Sequence, residues 1–547
     1  MTDDCRSIIV NGFVRGDPYM SKSNPLILLL FLLLVSCGNS DSSGESSDAA
    51  ERPPAESTEE PLAGQVPGSF NADPGVNRQS LEQLEQDLGI PSLAEAWTGD
   101  FDGMVERRVI RVLTVYGVGR YYLDGITENG IVYEVFKQFE ESVNKRQKTG
   151  KIRIHVLFIP VARDELIPAL IAGRGDIVAA GLTITPERGE RVDFTDPTTR
   201  ELSEILVTGP SAPPLTAIED LAGQTVSVRR SSSYYASLQE LNRRFAEEGR
   251  KAVKIEDVSP FLEDEDLLEM VNAGLLEWAV VDNYKARIWS QVFDRIEPRE
   301  DIVFRSGARL GWAVRKNSPK FLAELNTFLK SHRQGTLMGN VLINRHVRDY
   351  DWAGNALEAS DFDRFQKVID LFKKYGDQYS FDFLIVAAQG YQESRLDQNA
   401  RSKAGAVGIM QLLPSTAADP NVGIPDITRA EPNIHAGIKY LDFLRMRYFN
   451  DPDITLLNQT LFALAAYNAG PARISKLRSR AAQTGYDPNK WFGNVEVVVA
   501  REVGSEPVKY VANILKYYVS YRLSLIREAQ RAEAREKMGM EASPSRN

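Results

Sequence analysis

The sequence predicts a multidomain protein, with an α/β module first and a mainly α module after it. Three observations point there. The chain has 547 residues, too many for one hydrophobic core. Between residues 108 and 348, short strand-like and helix-like segments alternate, which implies α/β layers. After residue 360 the apolar residues recur at helical spacing. The composition, 43% hydrophobic and 26% charged, is that of a soluble globular protein, and a net charge of -10 argues against nucleic acid as a partner. Two Cys and four His (His155, His332, His346 and His435) form no cluster with ligand spacing, so neither a metal nor another cofactor is expected.

Residues 1–37 are predicted to be a targeting segment. Lys22 supplies positive charge, and Pro25 to Val35 is an apolar stretch that suits a signal-peptide core; a spanning helix needs about 20 apolar residues. The segment ends in Leu34-Val-Ser-Cys37, followed by Gly38. This resembles a bacterial lipobox. The resemblance implies that Cys37 is lipidated and that, with Gly38 and not Asp next, the protein is anchored to the periplasmic face of the outer membrane. Met20 offers a second start, which would remove Cys5 and leave one cysteine, too few for an internal disulfide. Residues 38–80 are expected to form a disordered linker. Asn39 to Ser69 is rich in Ser, Glu, Asp, Pro and Ala, a composition that cannot bury enough surface to order itself. A short helix is expected over Ser80 to Leu88.

In the module over 108–348, Val109 to Val115 and Ile152 to Ile159 read as strands, and Gly130 to Glu140 and Asp164 to Ala172 as helices. Then come Gly175-Asp-Ile-Val-Ala-Ala-Gly-Leu-Thr-Ile-Thr-Pro-Glu-Arg188, Leu221-Ala-Gly-Gln-Thr-Val-Ser-Val228, Trp278-Ala-Val-Val-Asp282 and Gly311-Trp-Ala-Val-Arg-Lys316. These resemble the extracellular solute-binding proteins that capture polar amino acids. The resemblance implies two lobes joined by two crossovers, placed near Thr208 and Phe304, with ligand closed between them. It further implies that Arg188, helped by Thr183 and Thr185, clamps a carboxylate and that Asp282 takes an ammonium. One of Tyr116, Tyr121 or Tyr122 is a candidate to stack on the ligand. Arg229-Arg-Ser-Ser232 lacks the Gly that usually precedes the Ser pair, so Arg230 is expected to crowd the cleft or change its ligand, from a free amino acid to a piece of cell-wall peptide.

In the module over 360–525, Ser360 and Asp363 read as a capping pair, with Phe362, Phe365, Val368, Ile369 and Phe372 on one face and Gly376 as the stop. The next helix contains the unbroken apolar run Phe383 to Ala388 and closes on Glu393. Burial and the negative end of the helix dipole both disfavour a charged carboxylate there, which suits a proton donor at neutral pH. Ala404-Gly-Ala-Val-Gly408 suits a tight loop where backbone approaches a ligand. Glu393-Ser394, Gly408-Ile-Met-Gln411, Ala466-Tyr-Asn-Ala-Gly470 and Glu506-Pro-Val-Lys-Tyr-Val511 follow in order. These four blocks resemble the soluble lytic transglycosylase family, of goose-type lysozyme-like fold, with Pro507 where Thr is usual. The resemblance implies an enzyme that cleaves peptidoglycan strands between N-acetylmuramic acid and N-acetylglucosamine without water. Glu393 would act as acid and then base. Ser394 and Gln411 would hold substrate, Met410 would shape the cleft, Asn468 would orient the N-acetyl group, and Tyr467 and Tyr510 would position Glu393 or the sugar. Asp397 and Glu431 are candidates for a second carboxylate, although neither lies in a block.

Fused to a solute-binding module, such an enzyme is expected to respond to an amino acid or stem-peptide ligand. The alternatives are a non-catalytic murein or amino-acid sensor and a true hydrolase. Residues 526–547 are charged without apolar periodicity, so a fraying helix end and a disordered tail are expected.

Overall fold

The computed structural model describes residues 96–117, 119–124, 127–348 and 360–540. The targeting segment with Cys37, the linker, the helix expected over Ser80 to Leu88 and the side chains of the Ser360–Asp363 pair lie outside the described residues.

The first module has two lobes. In the first lobe α1 (Phe101–Arg107) leads into β1 (Val109–Thr114), the hairpin β2 (Tyr122–Asp124) and β3 (Thr127–Asn129), and α2 (Ile131–Arg146). β4 (His155–Pro160), α3 (Leu166–Ile171), β5 (Ile177–Thr183), α4 (Pro186–Arg191) and β6 (Val192–Phe194) follow. The second lobe holds β7 (Leu202–Thr208), β8 (Thr225–Val228), α5 (Ser233–Glu247), β9 (Lys254–Asp257), α6 (Asp264–Ala273), β10 (Trp278–Asp282), α7 (Asn283–Trp289) and β11 (Glu297–Ala308). The chain then returns to the first lobe through β12 (Leu310–Arg315), followed by α8 (Pro319–His332) and α9 (Leu337–Ile343).

The first-lobe sheet runs β4-β1-β5-β12-β6, parallel through β4, β1 and β5 and antiparallel at β12. β1 is buried on both faces, and its one charged residue, Arg111, is paired with buried Asp176. The second lobe is built on the antiparallel sheet β10-β7-β11 and the parallel pair β8-β9. The crossovers are not at Thr208 and Phe304, which sit inside or at the far end of second-lobe strands. The chain changes lobe between β6 and β7 and again at Arg309. Thr198 and Thr199 bind the Leu310 backbone there, at 2.8 and 3.1 Å.

The second module is helical: α10 (Ser360–Gln378), α11 (Phe383–Ser394), α12 (Ala430–Tyr448), α13 (Leu456–Ala469), α14 (Pro471–Gln483), α15 (Glu496–Glu502) and α16 (Ser505–Lys537). α11 and α13 are buried on nearly all sides and are wrapped by the others. Gly376 does not stop α10, which continues to Gln378. It is there because a Cβ would stand 3.0 Å from the Phe381 carbonyl, where the chain doubles back. Pro507 is tolerated because it lies in the first turn of α16, where backbone N–H groups have no helical partner.

The expectation of a fraying end after Ile526 is corrected. α16 runs 33 residues, about 50 Å, and its last third lies on the first module. Arg527 donates to the Pro160 carbonyl (3.1 Å) and to Glu165 (3.2 Å). Arg531 and Arg535 hold Asp266 at 2.9 and 2.5 Å, and Arg535 also holds Glu269. Ala534 and Met540 join the second-lobe core. Nearer its start, Ser520 and Lys516 engage buried Glu128 of β3 at 2.9 and 3.6 Å. The apolar side chains of α16 also share one core with β1, β4 and β5. Among the described residues no helix is long and apolar enough to cross a membrane.

Candidate active site

Glu393 sits in the last turn of α11. The helix stops because Arg395 and Leu396 both take left-handed conformations (φ 58° and 59°), an unfavourable backbone for residues with a Cβ. Leu396 is buried and the Arg395 guanidinium lies 4.3 Å from the Tyr391 ring centre, contacts that offset the strain. The turn aims Glu393 into a cleft of ≈430 Å³. Gln392, Asn468, Ser505, Glu506, Lys509, Tyr510 and Asn513 complete its wall.

Glu393 is half-buried, and among the described residues its one side-chain hydrogen bond comes from a neutral donor: the Tyr510 hydroxyl donates to Oε1 at 2.5 Å. Burial pushes the carboxyl up to about 7, and the tyrosine bond, which favours the ionised form, opposes this only in part. Tyr510 is in turn held by Gln389, one helical turn before Glu393, whose Nε2 donates to its hydroxyl at 3.3 Å. Gln389 is fully buried and was not foreseen as a site residue; a lone amide at the end of an apolar run was the available signal.

The remaining candidates divide between cleft wall and support. Asn468 is exposed on the cleft at the end of α13. Tyr467, just before it, donates to the Met410 carbonyl at 2.7 Å. Met410 is fully buried on α12, where a Cβ on Gly437 would stand 2.6 Å from it, so its backbone carries the contact. Ser394 donates to the Ile409 carbonyl at 2.9 Å and so ties the loop to α11. Gln411 takes φ 45°, and its Nε2 folds back to the Gly408 carbonyl at 2.9 Å.

The loop 404–408 approaches protein. A Cβ on Gly408 would stand 2.6 Å from Asn433 and from Gln398. Buried Asn433 accepts from Met410 N and donates to the Val407 carbonyl, both at 2.8 Å, a role the sequence did not advertise. Neither expected second carboxylate is among the residues of the cleft wall. Asp397 accepts from Asn399 N within its own turn, and Glu431 is exposed and held by Lys374 and Tyr375. The acid that does share the cleft is Glu506, exposed in the first turn of α16.

In the first module, Arg188 donates to the Thr183 carbonyl and, across the lobes, to the Ser231 carbonyl, both at 2.9 Å. Thr183 meets Ser233 at 3.1 Å, and Thr185 caps α4. Asp282 is buried at the end of β10 and pairs with Lys285 at 2.7 Å. Tyr121 is a core residue stacked on Phe158, and Tyr116 lines a small cavity with Arg163 and Glu263. Arg230 does not crowd the cleft: it is exposed and pairs with Asp257, whereas Arg229 is the buried one, paired with Asp264.

The family model for transglycosylase SLT domains matches residues 370–489, and that for bacterial extracellular solute-binding proteins, family 3, matches residues 121–339. The chain fuses a family 3 solute-binding module to a transglycosylase SLT domain. It is similar to the membrane-bound lytic murein transglycosylase F of Pseudomonas fluorescens, at 29% identity over 76% of this chain and 84% of that protein. The protein of the same name from Desulfosudis oleivorans is 29% identical over 75% of this chain and 89% of its own. Among solved structures, an ancestral arginine-binding protein bound to arginine covers 43% of this chain and 97% of its own, with a TM-score of 0.35 and 24% identity. Glu393 and Tyr467 lie within the span matched as SLT domain, while Tyr510 comes from α16 beyond it.

Proposed function

We propose that this chain is a lytic transglycosylase of peptidoglycan, with Glu393 as its one acid–base group, modulated by a small ligand in its first module. The observation that carries the reading is a cleft headed by a half-buried carboxyl that keeps its proton to about pH 7 and accepts a hydrogen bond from a tyrosine hydroxyl. The names of the relatives supply the substrate class.

Protonated Glu393 gives its proton to the oxygen linking N-acetylmuramic acid to N-acetylglucosamine. That C–O bond breaks, and its electron pair stays with the departing oxygen. The sugar's own N-acetyl oxygen supports the anomeric carbon, with Asn468 placed at the cleft to orient it. Glu393, now ionised and steadied by Tyr510, takes the proton of the C6 hydroxyl, and O6 closes on C1 to give a 1,6-anhydro ring. One carboxyl serves both proton transfers and no water is consumed. Ser394, Met410, Gln411 and Tyr467 hold the loop that forms the wall behind it.

Digestion of purified murein followed by mass analysis tests this. The expected products end in anhydro sugar, each lighter by one water than a reducing end. Reducing ends alone would make the protein a hydrolase, and no products would favour a sensor.

The lipobox-like Leu34-Val-Ser-Cys37-Gly38 supports anchoring at Cys37 on the periplasmic face of the outer membrane, in keeping with relatives named membrane-bound. A Cys37→Ser variant should leave the membrane fraction. Turnover of murein with and without stem peptides tests the modulation, and unchanged turnover at saturating peptide counts against it.

A further inference from the structure

Gln389 follows the apolar run of α11 and is fully buried. Its Nε2 donates to the Tyr510 hydroxyl at 3.3 Å, and its Oε1 is buried without a hydrogen-bond partner. A half-satisfied buried amide is worse for the fold than an apolar side chain of the same shape. Among the described residues the side chain of Gln389 bonds nothing but Tyr510, which is the group that touches the acid.

A phenolic hydroxyl has one proton to give and lone pairs to receive with. The Gln389 N–H occupies a lone pair of Tyr510, so the Tyr510 proton leaves in another direction, and the acceptor there is Glu393 Oε1 at 2.5 Å. Tyr467, the other tyrosine of the site, does not compete, because its hydroxyl donates to the Met410 carbonyl. Burial and the Glu393 charge hold Tyr510 well above its ordinary value, and the Gln389 N–H opposes them by making the hydroxyl a better donor.

We propose that Gln389 is a positioning residue that, through Tyr510, gives the two oxygens of Glu393 different tasks: Oε1 receives the tyrosine and Oε2 carries the proton that is transferred. Among the described residues Oε2 has no hydrogen-bond partner, so it is the oxygen left to meet the sugar. The Oε2–H bond breaks as its proton passes to the glycosidic oxygen. The charge left on the carboxylate is met at Oε1 by Tyr510, and Oε2 then takes the proton of the C6 hydroxyl. The inference rests on the reading of Glu393 as the acid–base group.

Infrared difference titration of the full chain tests it, with the Glu393 carboxyl band assigned against Glu393→Gln. Gln389→Met keeps the shape closely and removes the N–H. Because the Tyr510 bond favours the ionised carboxyl, weakening it should move the Glu393 titration upward, by less than Tyr510→Phe does. The double variant should titrate like Tyr510→Phe alone. Murein turnover should fall about threefold through kcat with KM unchanged, a fraction of one hydrogen bond. The melting temperature should not drop, and Gln389→Leu should behave alike. A titration that stays still, a further shift when Gln389→Met is added to Tyr510→Phe, or a downward move, which would mean that the amide accepts from Tyr510, would each overturn the proposal. The titration needs no turnover, so it decides the role of Gln389 even in a chain that releases no anhydro product. A chain that releases that product with an unmoved titration keeps its enzymatic reading and loses this one.

Discussion

Two buried carboxylic acids, one in each module, have been pushed in opposite directions. Asp264, at the start of α6, is 2% exposed. Burial alone would raise it, but Arg229 and Lys285 overrule burial and hold it well below the usual carboxylate range. Glu393 meets the same kind of desolvation with no cation at hydrogen-bond distance, only the Tyr510 hydroxyl, and rises to about 7. The contrast shows that burial does not by itself make a proton donor. Glu393 rises because its hydrogen-bond partner is a neutral hydroxyl, whereas Asp264 is held down by two cations in direct contact.

The largest test of that contrast is Glu393→Gln, which removes the donor and should lower murein turnover about 10³-fold or more, measured by release of soluble muropeptides. Next, Asp264→Asn leaves Arg229 and Lys285 without their shared charge and should destabilise the protein by about 3–5 kcal/mol in denaturant unfolding. Tyr510→Phe should cost about tenfold in turnover, about the worth of one hydrogen bond to a charged group. It should also move the alkaline limb of the pH profile upward, because the bond it deletes favours the ionised carboxyl. Asn513→Lys adds a second cation to a cleft that already holds Lys509 and should move that limb downward, making Glu393 more like Asp264.

The smallest effect is on stability. Glu393 has a folded pKa of about 7 against an ordinary 4.5, so its favourable contribution is complete below pH 4.5 and is lost as pH rises through about 7. Glu393→Gln should therefore gain about 1–2 kcal/mol over wild type at pH 8, after discounting for its partial exposure, and nothing at pH 4. A stability difference independent of pH would break the comparison.

The acid itself was legible, because an apolar run ending in Glu393 is a local pattern. The architecture of both modules was legible for the same reason: β5, α11 and α13 carry their burial in their own composition. What stayed hidden depends on partners distant in sequence. Arg527, Arg531 and Arg535 read as a solvated charged end because their partners, Glu165, Asp266 and Glu269, lie more than 250 positions earlier. The crossovers were misplaced because the apolar run of β7 ends at Thr208, while the actual change of lobe is fixed by Thr198 and Thr199 gripping Leu310. Asn433 escaped notice because one buried asparagine on an amphipathic helix has no periodic signature, although its amide joins Met410 and Val407 behind the cleft.

The reach of α16 also sets an order of events during biosynthesis. The ribosome makes Asp266 some 265 residues before Arg531. Until the final helix emerges, Asp266 lacks the guanidinium partners Arg531 and Arg535. The tie between the two modules at Asp266 therefore closes last, after both have been synthesised.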